Sequence, residues 1–70
     1  MPSYSIADLG RLLWKYLKQK GEVEYTKKQV EDIGNKVLPP SRIKDINSIV
    51  AFLIEFNYIR LTEEETFVVL

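Results

Sequence analysis

All the formal charge of this chain resides in ten Lys or Arg and ten Asp or Glu side chains, and there is no cysteine and no histidine. That inventory removes most nucleophilic and acid–base chemistry, because no Cys–His or Ser–His pair can be assembled. No glycine-rich stretch has the spacing of a phosphate loop. A disulfide framework and most zinc sites are excluded for the same want of Cys and His. Three carboxylates stand side by side at Glu63, Glu64 and Glu65, and carboxylates suit hard cations. Consecutive residues of a strand or loop point in different directions, however, and calcium-loop spacing is absent. The run reads as a solvated tip that keeps a sheet edge soluble. No catalytic residue, metal or cofactor is expected.

The cations are the other chemically useful set. Positive and negative charges cancel over the 70 residues, so net charge gives no support to nucleic-acid binding. Their distribution is uneven. Residues 1–20 sum to +3 (four basic, one acidic), 21–40 to −1 (three against four) and 41–70 to −2 (three against five). Lys27 and Lys28 are adjacent, Arg42 and Lys44 flank Ile43, and Arg60 stands alone near the end.

The elements that carry these side chains can be read from periodicity and capping chemistry. The stretch Pro39-Pro40-Ser41 to Asn57 is central. Two prolines suit the start of a helix, since proline lacks the N–H that a first turn leaves unpaired, and Ser41 fits as its N-cap. Ile43, Ile46, Ile49, Val50, Leu53, Ile54 and Phe56 then recur at helical spacing and fill roughly half a helical wheel. This helix is the spine of a small core, with Lys44, Ser48, Ala51 and Glu55 on its polar face, flanked by Asp45, Asn47 and Phe52. Earlier in the chain, Ser5-Ile6-Ala7-Asp8 has the form of a capping box. It opens a helix from about Ile6 to Lys20 with an apolar stripe of Ile6, Leu9, Leu13, Tyr16 and Leu17, widened by Leu12. Gly21 is its natural stop. Trp14 falls at the flank of that stripe.

Glu22-Val23-Glu24-Tyr25 alternates and predicts a very short strand. Thr26-Lys27-Lys28-Gln29 is a second capping box, opening a helix from about Lys27 to Ile33 or Lys36, with Gly34 or Asn35 as a candidate left-handed cap. After Asn57, the alternating runs Tyr58–Leu61 and Thr66–Leu70 predict an antiparallel hairpin around Thr62–Glu65. The predicted core contains Leu13, Leu17, Val30, Ile33, Ile46, Val50, Leu53 and Ile59. No repeat, linker or low-complexity segment divides residues 1–70, so one domain is expected.

The order helix, short strand, helix, helix, strand, loop, strand resembles a winged helix-turn-helix domain. The most telling segment is Leu53-Ile54-Glu55-Phe56-Asn57-Tyr58-Ile59-Arg60-Leu61. It is similar to the Leu-hydrophobic-x-x-(Gly/Asn)-aromatic-Ile-x pattern that closes the recognition helix and opens the wing in that family. The resemblance covers nearly the whole chain and implies an α+β fold, mainly α, with three helices and a small β-hairpin. It names no subfamily, since archaeal and viral regulators and accessory domains of plasmid or viral replication proteins share the pattern. Asn57 stands where glycine is common, and Glu63-Glu64-Glu65 where DNA-binding members often carry Lys or Arg.

What the resemblance implies is duplex DNA binding, with the third helix in the major groove and helix N-termini and basic side chains on phosphates. The expected DNA-binding residues are Lys27, Lys28, Arg42, Lys44, Asn47, Ser48 and Arg60. Asn47 and Ser48 would face base edges. Asp45, Glu55 and the acidic wing oppose such binding, because phosphate neutralisation supplies most non-specific affinity. The alternative is a protein-interaction module, since winged helices also hold proteins together. Trp14 and Phe52 are then the partner-interface candidates, with a homodimer through the first helix as one form. Their plainer roles are a core that wraps round to Trp14 and Phe52 packing against the wing. No apolar run reaches the roughly 18 residues of a membrane span, and an intracellular, cytoplasmic protein is expected. Seven Ile, seven Lys and seven Glu beside two Gln resemble thermophile usage. The chain ends on an apolar strand, which suits a piece of a larger protein.

Overall fold

A computed structural model describes residues 4–70. The elements are α1 (Ile6–Lys20), β1 (Glu24–Thr26), α2 (Lys27–Val37), a 3-10 segment (Pro40–Asp45), α3 (Ile46–Glu55), β2 (Ile59–Leu61) and β3 (Thr66–Val69). The strands form one antiparallel sheet in the order β1-β3-β2. This is the expected α+β, winged-helix-like layout, and the short strand β1 pairs with β3 as the third strand of the sheet.

The first two helices begin as their sequences dictate. The Ser5 hydroxyl accepts from Asp8 N–H (3.1 Å), and Asp8 Oδ2 accepts from Ser5 N–H (3.2 Å). The backbone bond from Ser5, then the Ser5 side chain and the nearby Arg11, hold the Asp8 carboxyl below its ordinary pKa. Thr26 and Gln29 repeat the exchange at the start of α2 (3.1 and 2.8 Å). Gly21 closes α1 at φ 81°, the left-handed conformation that glycine adopts freely.

The longer of the two expected ends of α2 is the one found, to within a residue, whereas the start of the third helix differs from expectation. The helix α2 runs through Gly34 and Asn35 to Val37, and neither is a cap. Gly34 is buried where a Cβ would lie 2.6 Å from Ile46 Cδ1, so its lack of a side chain serves close packing on the next segment. The third helix does not begin at Ser41. Residues 40–45 form 3-10 turns, with Arg42 N–H donating to Pro39 O (2.8 Å), and α3 starts at Ile46 without a side-chain cap. Asp45, at φ −90° and ψ 7°, breaks the helical run, and its carboxylate takes the Arg42 guanidinium instead of capping.

At the other end, α3 stops at Glu55 and Asn57 adopts φ 62°. Tyr58 N–H reaches Leu53 O (2.9 Å) and Asn57 N–H reaches Ile54 O (3.1 Å). That bond pair is the Schellman closure, with asparagine in the position glycine usually fills. It turns the chain directly into β2. The hairpin tip is tight: Thr62 N–H donates to Thr66 O (2.8 Å), the two threonine hydroxyls share a bond (2.7 Å), and Glu65 sits at φ 61°.

The core is continuous across all these elements. It joins Leu9, Leu13 and Leu17 of α1, Val30 and Ile33 of α2 with Leu38 just beyond it, Ile49 and Leu53 of α3, and Tyr25, Ile59 and Phe67 of the sheet. Ile46 and Val50, predicted as core, are half-buried against it. Leu12 and Tyr16, predicted on the core stripe of α1, are exposed. No described helix is long and apolar enough to cross a membrane.

Candidate nucleic-acid interface

The exposed side of α3 carries Asn47, Ser48, Ala51 and Glu55, spread over about 100° of the helix at 100° per residue. At one edge of this strip, Asn47, Val50 and Ile54 form one wall of a hollow of ≈ 350 Å³. Lys27 from the start of α2, Leu61 and Phe67 from the hairpin, and Glu65 from its tip complete it. The tertiary fold therefore brings Lys27 beside the polar face of α3, across 20 residues of sequence. The capping box of α2 engages the N–H of Gln29. Those of Lys27 and Lys28 belong to the first turn, which a helix cannot pair internally. Lys28 is exposed beside them, and Lys44 is exposed on the 3-10 segment leading into α3.

Two of the sequence-derived cations stand apart from this group. Arg42 is part-buried, and its Nε donates to Asp45 Oδ2 at 2.6 Å while Nη1 donates to the backbone carbonyl of Tyr4. It ties the start of α1 to the 3-10 segment. Arg60 pairs with Val68 in the sheet, and Ile59 and Leu61 flank it in β2. Strand side chains alternate between faces, so Arg60 lies on the face opposite Leu61, away from the hollow. Glu65, by contrast, is the wing carboxylate that lines the hollow. Among the described residues, no group of three or more Asp or Glu has the arrangement of a metal site.

Trp14 and Phe52, the aromatic interface candidates, are half-buried and packed on the core. The Trp14 ring lies 5.0 Å from that of Tyr58, and Lys18 Nζ sits 4.8 Å above it, within cation–π range. Its Nε1 is buried and has no hydrogen-bond partner among the described residues. Phe52 packs at a tilt on Phe56 (4.8 Å) and stacks on Tyr58 (5.9 Å) at the entry to the wing, and its ring also faces Gly10 of α1. The exposed large apolar side chains include Leu12 and Tyr16 of α1, together with Tyr4, Val23, Phe56, Leu61 and Leu70. The surplus of apolar residues on α1 was the available signal: with Leu12 and Tyr16 included, the stripe is wider than one packing face needs. Comparison of the chain with protein-family models, curated proteins and solved structures gives no significant match.

Proposed function

We propose that this chain is an intracellular, winged-helix-type module that binds double-stranded DNA, with α3 in the major groove and the start of α2 on the adjoining phosphates. The observation that carries the reading is the shared hollow: Lys27 and Asn47 line it together, so a phosphate-seeking cation lies beside the side chains that would meet base edges. Lys28, Lys44 and Ser48 extend the same surface. Arg42 and Arg60 take no direct part, since one is paired internally and the other faces away. A transcriptional regulator, or an accessory domain of a plasmid or viral replication protein, are the contexts in which such a module acts. A protein-interaction module is the second reading. The apolar floor of the hollow, Val50, Ile54 and Leu61, with Glu65 at its edge, favours it.

Titration of a labelled duplex at about 50 and about 200 mM salt separates the two. Modest affinity that falls steeply with salt is expected, because each phosphate contact releases a counterion. Changing Lys27 and Lys28 together to alanine should weaken binding to every sequence alike and flatten the log–log salt slope by about 2. Changing Asn47 or Ser48 should alter preference among sequences. Glu65→Gln should strengthen binding more than Glu63→Gln or Glu64→Gln, because Glu65 is the carboxylate in the hollow. Absence of binding by both the native chain and Glu65→Gln, or indifference to the lysine pair, removes DNA as the ligand.

A further inference from the structure

The helix α1 packs on α3 through Gly10, where a Cβ would lie 2.6 Å from the Phe52 ring and 3.4 Å from Leu53. Leu12 and Tyr16 stand about 160° and 120° round the helix from Gly10 at 100° per residue. They are 45% and 42% exposed, with Asp8 one turn before and Lys20 one turn after. Asp8, Leu12, Tyr16 and Lys20 thus make one i,i+4 row, the kind of ridge by which helices pack. Beside its first half is a hollow of ≈ 660 Å³ lined by Tyr4, Asp8, Leu9, Leu12, Val37 and Pro39. Its walls are mostly apolar, and no side chain of this chain's described residues fills it.

This row is complementary to itself when reversed. If two copies of α1 run antiparallel about a two-fold axis level with residue 14, Leu12 of one copy meets Tyr16 of the other. Asp8 then meets Lys20, and both pairs occur twice, as an isologous contact requires. Each Tyr16 ring arrives over the partner's hollow. The two acid–base pairs lie at opposite ends of the contact, and each helix N-terminus lies beside the partner's C-terminus, the favourable arrangement of the two dipoles. A parallel arrangement would set Asp8 against Asp8 and Lys20 against Lys20.

We propose that the α1 face of Leu12 and Tyr16 is covered by a second copy of this chain, paired antiparallel, with Tyr16 seated in the partner's Tyr4–Leu12–Val37–Pro39 hollow. The contact uses α1 and the hollow beside it, and is independent of whether α3 meets DNA, since α3 is packed on the other side of α1 and keeps its exposed strip. One helix face makes a small interface, so the dimer is concentration-dependent and exchanges readily.

Sedimentation equilibrium up to about 1 mM protein, where even millimolar dissociation shows, is the test. The native chain should pass from monomer to dimer over that range. Tyr16→Ser, which changes an exposed side chain, should remain folded by circular dichroism and shift the midpoint at least tenfold upward. Lys20→Glu places two acidic groups at each end of the contact, and Asp8→Lys two basic ones. Each variant alone should be monomeric, and an equimolar mixture should dimerise. In the mixed pair, Asp8 of the first variant meets Lys20 of the second, and the introduced glutamate meets the introduced lysine at the other end. A native chain monomeric at about 1 mM overturns the proposal and leaves the face to a different partner. So does a dimer indifferent to Tyr16→Ser, or a mixture that stays monomeric while both variants are folded.

Discussion

The two flanks of α3 are built from the same residue types and finished differently. On the side of α1, Ile49 and Leu53 meet Leu9, Leu13 and Leu17, and each of these five is at most 1% exposed. On the side of the hairpin, Val50 and Ile54 remain half-buried and face a hollow with Lys27 and Glu65 at its edge. The cause is local on each side. Gly10 lets α1 approach until Phe52 and Leu53 nearly touch its backbone. On the other side, Leu61 of the hairpin is itself exposed, and Val50 and Ile54 opposite it are only half-buried. A seal there would strengthen so small a domain. The open flank sets apolar and polar groups side by side; under the proposed function, stability and binding would be divided between the two sides of one helix.

Truncation should separate the flanks most sharply. Leu53→Ala removes a side chain with no exposed surface and should cost roughly 2–5 kcal/mol, which is comparable with the whole stability of a domain this size. Val50→Ala or Ile54→Ala, on the open flank, should cost about 1 kcal/mol, because those side chains keep part of their contact with water in the folded state. Urea unfolding with an unchanged m-value gives the comparison. Equal losses at Leu53 and Val50 would mean that the hollow is closed in solution, and the division of labour would fail.

The glycines sharpen the same contrast. At Gly10 an added Cβ meets the Phe52 ring at 2.6 and 3.0 Å, and that ring is held by Phe56 and Tyr58. Gly10→Ala should therefore cost roughly 1–3 kcal/mol by overpacking. At Gly34 the obstacle is Ile46 Cδ1, the mobile end of an aliphatic chain. Alanine also has the better helix propensity, by about 1 kcal/mol, so Gly34→Ala should leave stability within about 1 kcal/mol of the native chain. Thermal or urea midpoints of the two variants measure this directly; a Gly34→Ala loss as large as that of Gly10→Ala would contradict it.

What the sequence disclosed was local chemistry. Both capping boxes, the Gly21 stop and the alternation of the hairpin are written in neighbouring residues, and the structure has each of them. The 3-10 segment was not legible because Ile43, Ile46 and Ile49 recur every three residues, a spacing that suits a 3-10 turn as well as an α-helix. Pro-Pro-Ser opens either. On α1, periodicity registers that Leu12 and Tyr16 are apolar but cannot say that the core ends before reaching them. Trp14 falls off the stripe on a helical wheel and still packs, because the chain returns with Tyr58 to cover it. At the candidate interface, the side-chain types of Lys27 and Asn47 were readable, and their adjacency was not. Internal pairing of Arg42 and the outward face of Arg60 likewise depend on tertiary contacts. An Arg-x-x-Asp spacing was the one local hint that Arg42 is engaged.

The smallest effect concerns the far end of the sealed flank. Tyr25 of β1 is 1% exposed, and its hydroxyl donates to Leu17 O at 2.8 Å. That carbonyl belongs to the last turn of α1, whose C=O groups lack helical partners, so a strand residue finishes the helix end inside the core. Burial pushes the Tyr25 phenol above its ordinary pKa. The neutral form is thus favoured by folding: the stabilisation is full below about pH 10, the usual phenol value, and is lost as pH rises through the raised value. Tyr25→Phe should cost about 1 kcal/mol at neutral pH, through the lost bond and the carbonyl left without a donor. It should also abolish part of the alkaline decline. Unfolding free energies of the two proteins between about pH 7 and 11 should converge as the native phenol ionises, with the other tyrosines and the lysines titrating in both. Curves that stay parallel across that range would show that Tyr25 reaches water in the folded state, and the sealed flank would then be open at its lower end too.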